Sequence, residues 1–600
     1  MLYPQTNQFR TAITLDGLWQ FKKMPSGREA RAQKKRIPEK CEFIPVPCAY
    51  NEITQDASLR EYSGWINFYC TFYNSLQHYP EIVLRFGAVN YYSEVYINGN
   101  LAGNNYGGKL PFEFEIKKYL TDGENILTVV SNNILTWQTI PPGDPEINTD
   151  SSGIILNRER YFFDFLNYGG ILRSVWLCGM PAHRISDITV KTASVRNIPT
   201  GFEYIVFPSN NVNISICDAQ GRHVLSVKNQ PCHGTISIKN PVCWCPENPH
   251  LYTIHFALTD GSDAYTITTG LRTIHIHKNS FYLNNKKFYF KGCSMHEDFR
   301  LHGHGHSRAR MVKDFNLLKW IGANSIRTSH YPYDEEVYFH ADRTGILVID
   351  ELPAVGQCYD GRSQKAFQKN RIYSQSLNNH LGMLRRLYAR DKNHPSVIMW
   401  SLGNEPACNE KAADAYYSKL AAEMKKLDPG RPVTYVCNSF PPCSGYGSRG
   451  SKILQTKMNM KKFDVICLNK YNGWYSDAGN LDDAVHNLRL ELNKWHSYYK
   501  DKPILITEFG ADSVQGMHSD PPLMFSEEYQ KEFIKAYIEL FKTLPYITGE
   551  HIWNFADFAT KQGFFRVMGN RKGIFTRERE PKLAAHFLRS HWKTEKVFDK

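Results

Sequence analysis

Hydrophobic and polar residues alternate in short runs over the N-terminal part of the chain, as in Glu81–Phe86 and Glu94–Asn98. Turn-forming pairs such as Asn98–Gly99 and Asp122–Gly123 separate these runs. Alternation with a period of two is typical of strands that bury one face, and frequent turns indicate antiparallel pairing. We therefore expect a jelly-roll-like β-sandwich over residues 1–182.

A second β-rich stretch follows, over residues 183–275. It contains the alternating runs Ile188–Thr192, Val212–Cys217 and Tyr252–Thr259. Turn signals again separate the runs, as at Asp260–Gly261. Short strands at this spacing and in a segment of this size predict an immunoglobulin-like sandwich.

From residue 276 to the end, strands alternate with long amphipathic helices. One helical pattern covers Ala412–Lys426 and ends before Pro429–Gly430, a stop signal. We identify eight strand candidates: Phe288–Lys291, Ala323–Arg327, Ile346–Glu351, Val397–Ser401, Val433–Cys437, Val465–Asn469, Ile504–Thr507 and His551–Phe555. Eight strands with intervening helices predict a (β/α)8 TIM barrel over residues 276–600.

Composition and charge narrow the functional class. The chain has 600 residues, which is too many for one hydrophobic core, and a formal net charge of +13. Nucleic acid is the usual partner of a basic protein, but Lys and Arg are spread along the chain and the densest run, Arg31 to Arg36, is short. We expect no nucleic-acid partner, whereas a positive field would attract an anionic small substrate.

Cysteine usage and the ends of the chain bear on the compartment. None of the 14 cysteines forms a CxxC pair, and reduced thiols in a cytosol are the simpler interpretation. The N-terminus MLYPQTNQFR lacks the pattern of a signal peptide, and no apolar run approaches membrane-spanning length. We expect a cytoplasmic protein without a membrane partner.

Polar side chains follow nearly every predicted barrel strand, which is where barrel enzymes place their catalytic groups. Glu405 in WSLGNEP and Glu508 in ILITEFG come directly after apolar strands four and seven. These strands lie almost opposite each other in an eight-membered ring. Two carboxyl groups about 5–5.5 Å apart carry out retaining glycoside hydrolysis, one as acid and base, the other as nucleophile. Either Glu alone could instead be a surface or helix-capping carboxylate, but the pair favours catalysis.

Two other kinds of site find less support. His302, His304 and His306 alternate in LHGHGH and could indicate a metal site, but they fall in the loop after strand one. No GxSxG motif occurs, so serine-hydrolase chemistry has no support. We expect neither a metal nor a cofactor.

Several long motifs resemble glycoside hydrolase family 2. DKNHPSVIMWSLGNE, from Asp391 to Glu405, and ANSIRTSHYPYDEE, from Ala323 to Glu336, are similar to the two signatures of that family. LDGLWQF and WCPENPHLY are similar to its two β-domains. FFDFLNYGGILRSV, CLNKYNGWY and GEHIWNFADFAT extend the resemblance to the β-glucuronidase branch along essentially the whole chain.

The resemblance implies hydrolysis of β-D-glucuronides with retention, and roles by matched position. Glu405 would be the acid/base and Glu508 the nucleophile. Asn404 would bond the sugar 2-hydroxyl, and Asp164 would reach from the first sandwich to bind sugar hydroxyls. The remaining residues implied around the sugar are Asn469, Tyr471, Tyr475, Trp553, His330 and Arg566; His330 could instead be a packed polar residue.

The same resemblance assigns the C6 carboxylate of the sugar to Asn570 and Lys572, in the run NRK. A Lys ammonium with an amide donor can recognise that charge once water is excluded. Without the resemblance, an exposed basic loop would be the better interpretation. β-Galactosidase and β-galacturonidase activity stay open as alternatives, as does a non-catalytic carbohydrate-binding protein. Asn570 and Lys572 argue against a β-galactosidase but only weakly against a β-galacturonidase. The presence of both Glu405 and Glu508 argues against a non-catalytic protein.

Substrate size and assembly are less determined. Between Val355 and Arg385 the chain is shorter than the active-site loop of some relatives, which would leave the rim open to larger or oligosaccharide glucuronides. By analogy with the family, we expect a homo-oligomer, a tetramer.

Overall fold

The N-terminal third of the chain is a β-sandwich, as predicted. The computed structural model describes residues 2–145, 148–149, 155–157, 160–358, 365–441, 455–563 and 565–594. Helices α1 (Gly27–Ala32) and α2 (Ala57–Arg60) lie among the strands of this sandwich. Its strands are β1 (Thr11–Thr14), β2 (Gly17–Met24), β3 (Glu42–Val46), β4 (Trp65–Tyr73), β5 (Glu81–Phe86), β6 (Val89–Asn90), β7 (Tyr92–Ile97), β8 (Asn100–Tyr106), β9 (Phe112–Glu115), β10 (Glu124–Asn132), β11 (Gly143–Asp144), β12 (Asn148–Thr149), β13 (Ile155–Asn157), β14 (Arg160–Tyr161), β15 (Gly170–Ile171) and β16 (Val175–Met180).

Two antiparallel sheets form the body of this sandwich. One has the order β1-β16-β5-β9 and the other β3-β2-β4-β10-β7-β8. The apolar side chains that alternate along these strands meet between the sheets, where Trp19, Phe68 and Leu84 are buried. Burial of one face per sheet is the main stabilising contribution to such an arrangement.

The second domain is the smaller immunoglobulin-like sandwich. Its two sheets have the orders β17-β18-β21 and β20-β19-β22-β23. The strands are β17 (Asp187–Val195), β18 (Ile198–Phe207), β19 (Val212–Cys217), β20 (His223–Gln230), β21 (His233–Ser237), β22 (Tyr252–Leu258) and β23 (Ala264–Thr269).

The C-terminal domain is a closed barrel of eight parallel strands, which confirms the predicted fold class. A small sheet of β24 (Ile274–His277), β25 (Ser280–Leu283) and β26 (Lys286–Phe288) precedes it. The barrel strands are β27 (Phe290–Met295), β28 (Ser325–Thr328), β29 (Leu347–Glu351), β30 (Val397–Asn404), β31 (Val433–Cys437), β32 (Ile466–Asn469), β33 (Ile504–Glu508) and β34 (Ile547–Trp553). The helices around them are α3 (Arg308–Ile321), α4 (Glu335–Thr344), α5 (Ser374–Asp391), α6 (Lys411–Leu427), α7 (Leu481–Tyr498), α8 (Glu527–Lys542) and α9 (Leu583–Thr594). None of the helices in the described residues is long and apolar enough to cross a membrane.

The first and last barrel strands differ from their predicted limits. The first strand starts two residues later than predicted and continues to Met295, and the eighth starts four residues earlier, at Ile547. The start of β34 was missed because Thr548, Gly549 and Glu550 interrupt the apolar pattern. Gly549 lies against Phe290 of the neighbouring strand, where a larger side chain would collide. Close packing between these two strands therefore requires glycine at this position, and a glycine does not contribute to the apolar pattern from which a strand is predicted.

A loop of the first sandwich reaches the mouth of the barrel. Phe163 and Phe165 are both buried in the core cluster that also holds the barrel residues. Phe165 also pairs with Thr560, from the segment after β34, through an isolated β-bridge. Asp164, between the two anchored phenylalanines, is therefore held at the barrel mouth.

Candidate active site

A cleft of about 740 Å³ opens at the carboxyl ends of the barrel strands. All the predicted site residues except Asn570 and Lys572 line it: Asp164, His330, Asn404, Glu405, Asn469, Tyr471, Tyr475, Glu508, Trp553 and Arg566. Asn570 and Lys572 lie behind the lining, where each is almost completely buried. Part of the shortened loop after β29, residues 359–364, lies outside the described residues.

Glu508 ends β33 and is held by two donors. Nη1 of Arg327 donates to Oε1 at 2.7 Å, and the Tyr471 hydroxyl donates to Oε2 at 2.6 Å. Arg327 is itself bidentate with Glu351, at 2.7 and 2.9 Å. Because the guanidinium is fixed by Glu351, it presents its third nitrogen to Glu508 in a fixed direction.

Glu405 lies just beyond β30 and faces two amide donors. Nδ2 of Asn469 donates to Oε1 at 2.7 Å, and Nδ2 of Asn438 donates to Oε2 at 2.9 Å. The backbone of Glu405 has φ 46°, in the left-handed region that residues other than glycine rarely adopt. Such conformations cost free energy and occur preferentially at functional sites.

The two carboxyl groups belong to one hydrogen-bonded network. Nη2 of Arg327 donates to Oδ1 of Asn404 at 2.8 Å, and Nδ2 of Asn469 donates to the same oxygen at 3.1 Å. Asn469 is also the register partner of Glu508 across the β32–β33 pair. Arg327, Asn404 and Asn469 therefore fix both carboxyl groups relative to each other.

Burial dominates the electrostatics of the pair. It raises the pKa of Glu405, and it raises the pKa of Glu508 to about 8, with Arg327 opposing that rise and the charge of Glu405 adding to it. The negative charge of Glu405 disfavours ionisation of Glu508, so the titration of Glu508 depends on the protonation of Glu405. Direct contacts favour the negative charge on Glu508, which faces a guanidinium and a phenol, over Glu405, which faces two neutral amides.

An aromatic wall closes one side of the cleft. The ring of Trp553 stacks on His330 with 5.2 Å between centroids, and Phe165 lies 4.8 Å from His296. Nδ1 of His330 lies 2.8 Å from Glu351, and its Nε2 lies 3.7 Å from Glu508. Both the packed and the functional interpretation of His330 therefore have contacts that support them.

Cationic groups gather at one end of the cleft. Nε of Arg566 donates to both oxygens of Asp164, at 2.9 and 3.0 Å, and Nη2 donates to the Tyr475 hydroxyl at 3.1 Å. Nδ2 of Asn570 donates to Asp164 at 2.8 Å. At this end a guanidinium and an amide together hold the carboxylate of Asp164.

Lys572 lies next to this end, with its side chain completely buried. Its ammonium forms an ion pair with Asp512 and lies 4.4 Å from the ring of Trp474 and 4.9 Å from that of Tyr475. Aromatic faces stabilise a desolvated cation. An ammonium has three N–H donors, and Asp512 is its one hydrogen-bonded acceptor among the residues that the structure describes.

The three alternating histidines do not gather into one site. His304 bonds Tyr331, and His302 stacks on Phe299. Over the described ranges, one group has the spacing to hold a metal ion, namely His306, Asp334 and Glu336. Arg308 already donates to both oxygens of Glu336, so the charge there has a partner within the chain.

The structure adds residues that the sequence reasoning did not assign to the site. Arg327 and Glu351 are the last residues of predicted strands, and a polar residue at a strand end was the signal available for them. Asn438 directly follows β31, so the same signal applies. Asp512 lies four residues beyond Glu508 and had no signal, because its partner Lys572 is 60 residues away along the chain.

Comparisons with known proteins agree with this architecture. Profiles of glycosyl hydrolases family 2 match the chain over residues 13–181 (sugar binding domain), 186–272 and 274–597 (TIM barrel domain). A β-glucuronidase of Paenibacillus borealis is 40% identical, over 99% of this chain and 98% of that protein.

Solved structures are equally similar. The β-D-glucuronidase of Dictyoglomus thermophilum superposes with a TM-score of 0.91 at 42% identity over 100% of both chains. A Ruminococcus gnavus β-glucuronidase in complex with D-glucaro 1,5-lactone superposes with a TM-score of 0.89 at 34% identity, over 98% of this chain and 99% of that one. With matches of this extent in all three domains, the chain belongs to glycosyl hydrolase family 2.

Proposed function

We propose that this chain is a retaining β-glucuronidase, which releases glucuronic acid and an alcohol or phenol from β-D-glucuronides. The observation that carries the proposal is the pairing of two carboxyl groups, Glu405 and Glu508, with a carboxylate-binding end in the same cleft. The relatives described above match this chain over its whole length and are named β-glucuronidases, which supports the substrate class.

The proposed reaction is a double displacement. In the first step Glu508 attacks the anomeric carbon, and Glu405 gives its proton to the leaving oxygen. Arg327 and Tyr471 keep Glu508 ionised and oriented for the attack. In the second step Glu405, now ionised, takes a proton from water, and the water releases the sugar from Glu508 with net retention.

The remaining roles are assigned to the sugar. Asn404, fixed by Arg327, is proposed to bond the 2-hydroxyl, and Asp164 to bond hydroxyls from the sandwich side. Asn469, Tyr471, Tyr475, Trp553 and His330 form the walls around the ring.

The C6 carboxylate is assigned to the cationic end. Arg566 offers a planar fork, Asn570 an amide, and Lys572 a buried positive charge beside the same aromatic rings. Such charge-assisted bonds are stronger than neutral ones in a desolvated site. Asp164 bonds both Arg566 and Asn570, so a bound uronate would share these donors with Asp164 or displace it from them.

Matched aryl glycosides test the proposal. The 4-nitrophenyl β-glucuronide, β-galacturonide and β-galactoside share a leaving group. The two uronides differ in the configuration of one hydroxyl, and the galactoside lacks the carboxylate of the galacturonide. We expect kcat/KM to be highest for the glucuronide, and we expect the first-formed product, followed by proton NMR, to be the β-anomer. A higher rate on the galacturonide or galactoside would replace glucuronide as the substrate, and an α-anomer would exclude retention.

The proposal also covers the compartment, the oligomeric state and the domain limits. All the cysteines of the described residues are free of disulfides, which supports a cytoplasmic location. A homotetramer is proposed by analogy with the family, and light scattering during size exclusion would test it. The limits 1–182, 183–275 and 276–600 are proposed as the three domains, and the limits of the family profiles support them.

A further inference from the structure

A chain of buried hydrogen bonds runs from the first sandwich to the floor of the cleft. Lys109, in the loop between β8 and β9, places Nζ 3.0 Å from Nδ1 of His304. Nε2 of His304 lies 2.9 Å from the Tyr331 hydroxyl, which lies 3.1 Å from Nδ1 of His296. His296 lines the cleft and is 3% exposed, and its Nε2 is buried and has no hydrogen-bond partner among the residues that the structure describes.

The chemistry of Lys109 gives this chain a direction. A Lys ammonium only donates, so Nδ1 of His304 must accept from it. A neutral His304 then carries its proton on Nε2 and donates to Tyr331. The Tyr331 oxygen also accepts from the Glu297 backbone N–H at 3.3 Å, so its own proton goes to Nδ1 of His296.

The result is a defined tautomer at the end of the chain. Burial lowers the pKa of both His296 and His304, which keeps both rings neutral. A neutral His296 that accepts at Nδ1 carries its proton on Nε2, and His296 belongs to the residues that line the cleft. The face of the Tyr331 ring lies 4.2 Å from Nζ of Lys109 and stabilises the positive charge from which the order follows.

The groups around Lys109 act in both directions. Burial and the charge of Arg173 lower the pKa of Lys109 well below its usual range, against the opposing effect of Glu297. A neutral amine still carries two N–H groups and can donate to His304 as well. A neutral amine also has a lone pair that can accept, so the direction of the chain requires that Lys109 is the donor in its contact with His304, as an ammonium always is.

We propose that Lys109 is a positioning residue for sugar binding, which acts through His304 and Tyr331 to fix His296 as a hydrogen-bond donor to a hydroxyl of the sugar. This inference rests on the proposed function. A hydroxyl has one proton, and one that donates to the Asp164 carboxylate must accept its second bond from another group. Phe165, which follows Asp164, packs on the His296 ring. Asp164 and His296 therefore lie on the same side of the cleft.

A mutant cycle tests whether Lys109 acts through this chain. Lys109→Met, Tyr331→Phe and the double variant are compared on 4-nitrophenyl β-glucuronide, with kcat/KM given per active site. We expect Lys109→Met to lower kcat/KM by about tenfold, the value of one lost hydrogen bond. In the Tyr331→Phe background the same change should cost less than about twofold, because the chain is already broken. An equal loss in both backgrounds would overturn the proposal.

Two further variants separate positioning from stability. The side chain in Lys109→Gln has nearly the length of methionine but carries an N–H donor. This variant should therefore recover most of the activity that Lys109→Met loses. Lys392→Met removes a buried lysine that also joins a sandwich to the barrel, through Asp187 at 2.5 Å. It should lower the melting temperature without any coupling to Tyr331→Phe. If Lys109→Gln is as impaired as Lys109→Met, donation is not the role of Lys109.

Nitrogen NMR of the imidazoles decides the inference without substrate and without altering Lys109. In the Tyr331→Phe protein, His304 still faces Lys109 and should keep its proton on Nε2, with the signals assigned by His304→Phe and His296→Phe. A proton on Nδ1 of His304 would overturn the proposal. Failure of the proposed function is separate, since it would appear as a wild-type protein inactive on the glucuronide.

Discussion

Replacing Lys572 by methionine would test the proposed recognition of the C6 carboxylate. The ammonium lies completely buried between Asp512 and three aromatic rings, so little water screens it. Unit charges about 6 Å apart interact by about 3 kcal/mol at an effective dielectric constant of about 20. Because about 1.4 kcal/mol corresponds to a factor of ten, we expect glucuronide kcat/KM to fall about 10²-fold. The neutral glucoside should be nearly unaffected.

The same substitution also disturbs the fold. It removes the nearer of two cations from buried Asp512 and leaves Arg566 at 3.8 Å, and breaking a buried pair typically costs about 3–5 kcal/mol of folding free energy. The double variant Lys572→Met with Asp512→Asn removes both charges and should recover most of that stability. Its preference for glucuronide over glucoside should nevertheless stay below that of the parent, because the cation is still missing.

A second buried lysine nearby provides the matched control. Lys582 is almost completely buried and bonds Asp557 at 2.9 Å. Neither Lys582 nor Asp557 lines the cleft, whereas the rings of Tyr471 and Tyr475 beside Lys572 do. Lys582→Met should therefore cost stability without changing the ratio of the two specificity constants. The assay is that ratio, measured with 4-nitrophenyl β-glucuronide and β-glucoside on protein shown to be folded. A ratio unchanged in Lys572→Met, or one restored by Asp512→Asn, would make Lys572 a structural partner of Asp512 and refute the assignment.

Three further predictions concern the catalytic pair. Glu508→Ala should abolish turnover while the protein stays folded; added azide should restore part of it and give the α-glycosyl azide, and near-parental activity without azide would contradict the nucleophile assignment. Glu405→Ala should spare substrates with very acidic leaving groups and slow poor leaving groups by about 10²–10⁴-fold, whereas equal losses across a leaving-group series would exclude the acid/base role. Tyr471→Phe removes a donor to the Glu508 carboxylate, which stabilises the ionised form, so the pKa of Glu508 should rise. The nucleophile must be ionised, so activity is lost as pH falls through that pKa, and the acid limb of kcat/KM should move up by about one pH unit; an unmoved limb would show that Tyr471 does not act on Glu508.

The position of Glu405 and Glu508 at the barrel mouth was predictable because it follows from chain-local signals. An apolar strand followed by a carboxylate places that group at the barrel mouth, and β30 and β33 satisfy this rule. The largest departures from the predicted strand limits, at β27 and β34, fall where packing between two strands selects residues against the local pattern. Gly549 is required by the proximity of Phe290, which no window along the sequence can reveal.

The charge partners of the site could not be predicted in the same way. Arg327 satisfies Glu351 and Glu508 at once, and Glu508 lies 181 residues further along the chain. A charged residue in the sequence indicates a partner but not its identity, because the fold alone decides which strand ends meet. For Lys572 the resemblance to the family indicated a substrate carboxylate, whereas the structure also places Asp512 at the ammonium.

The two β-sandwiches and the barrel also differ in how much of their contribution to the site can be inferred from sequence. Asp164 and Lys109 both come from the first sandwich and both act, in our proposals, at the barrel mouth. Asp164 is exposed enough to contact substrate, whereas Lys109 is buried and connects to the cleft through three other side chains, those of His304, Tyr331 and His296. In a hydrogen-bond chain of this kind, each neutral member accepts one hydrogen bond and donates one. A fixed donor at one end therefore determines which atom carries the proton at the other end. The first sandwich would then determine not only which groups surround the sugar but also the direction in which His296 can hydrogen bond.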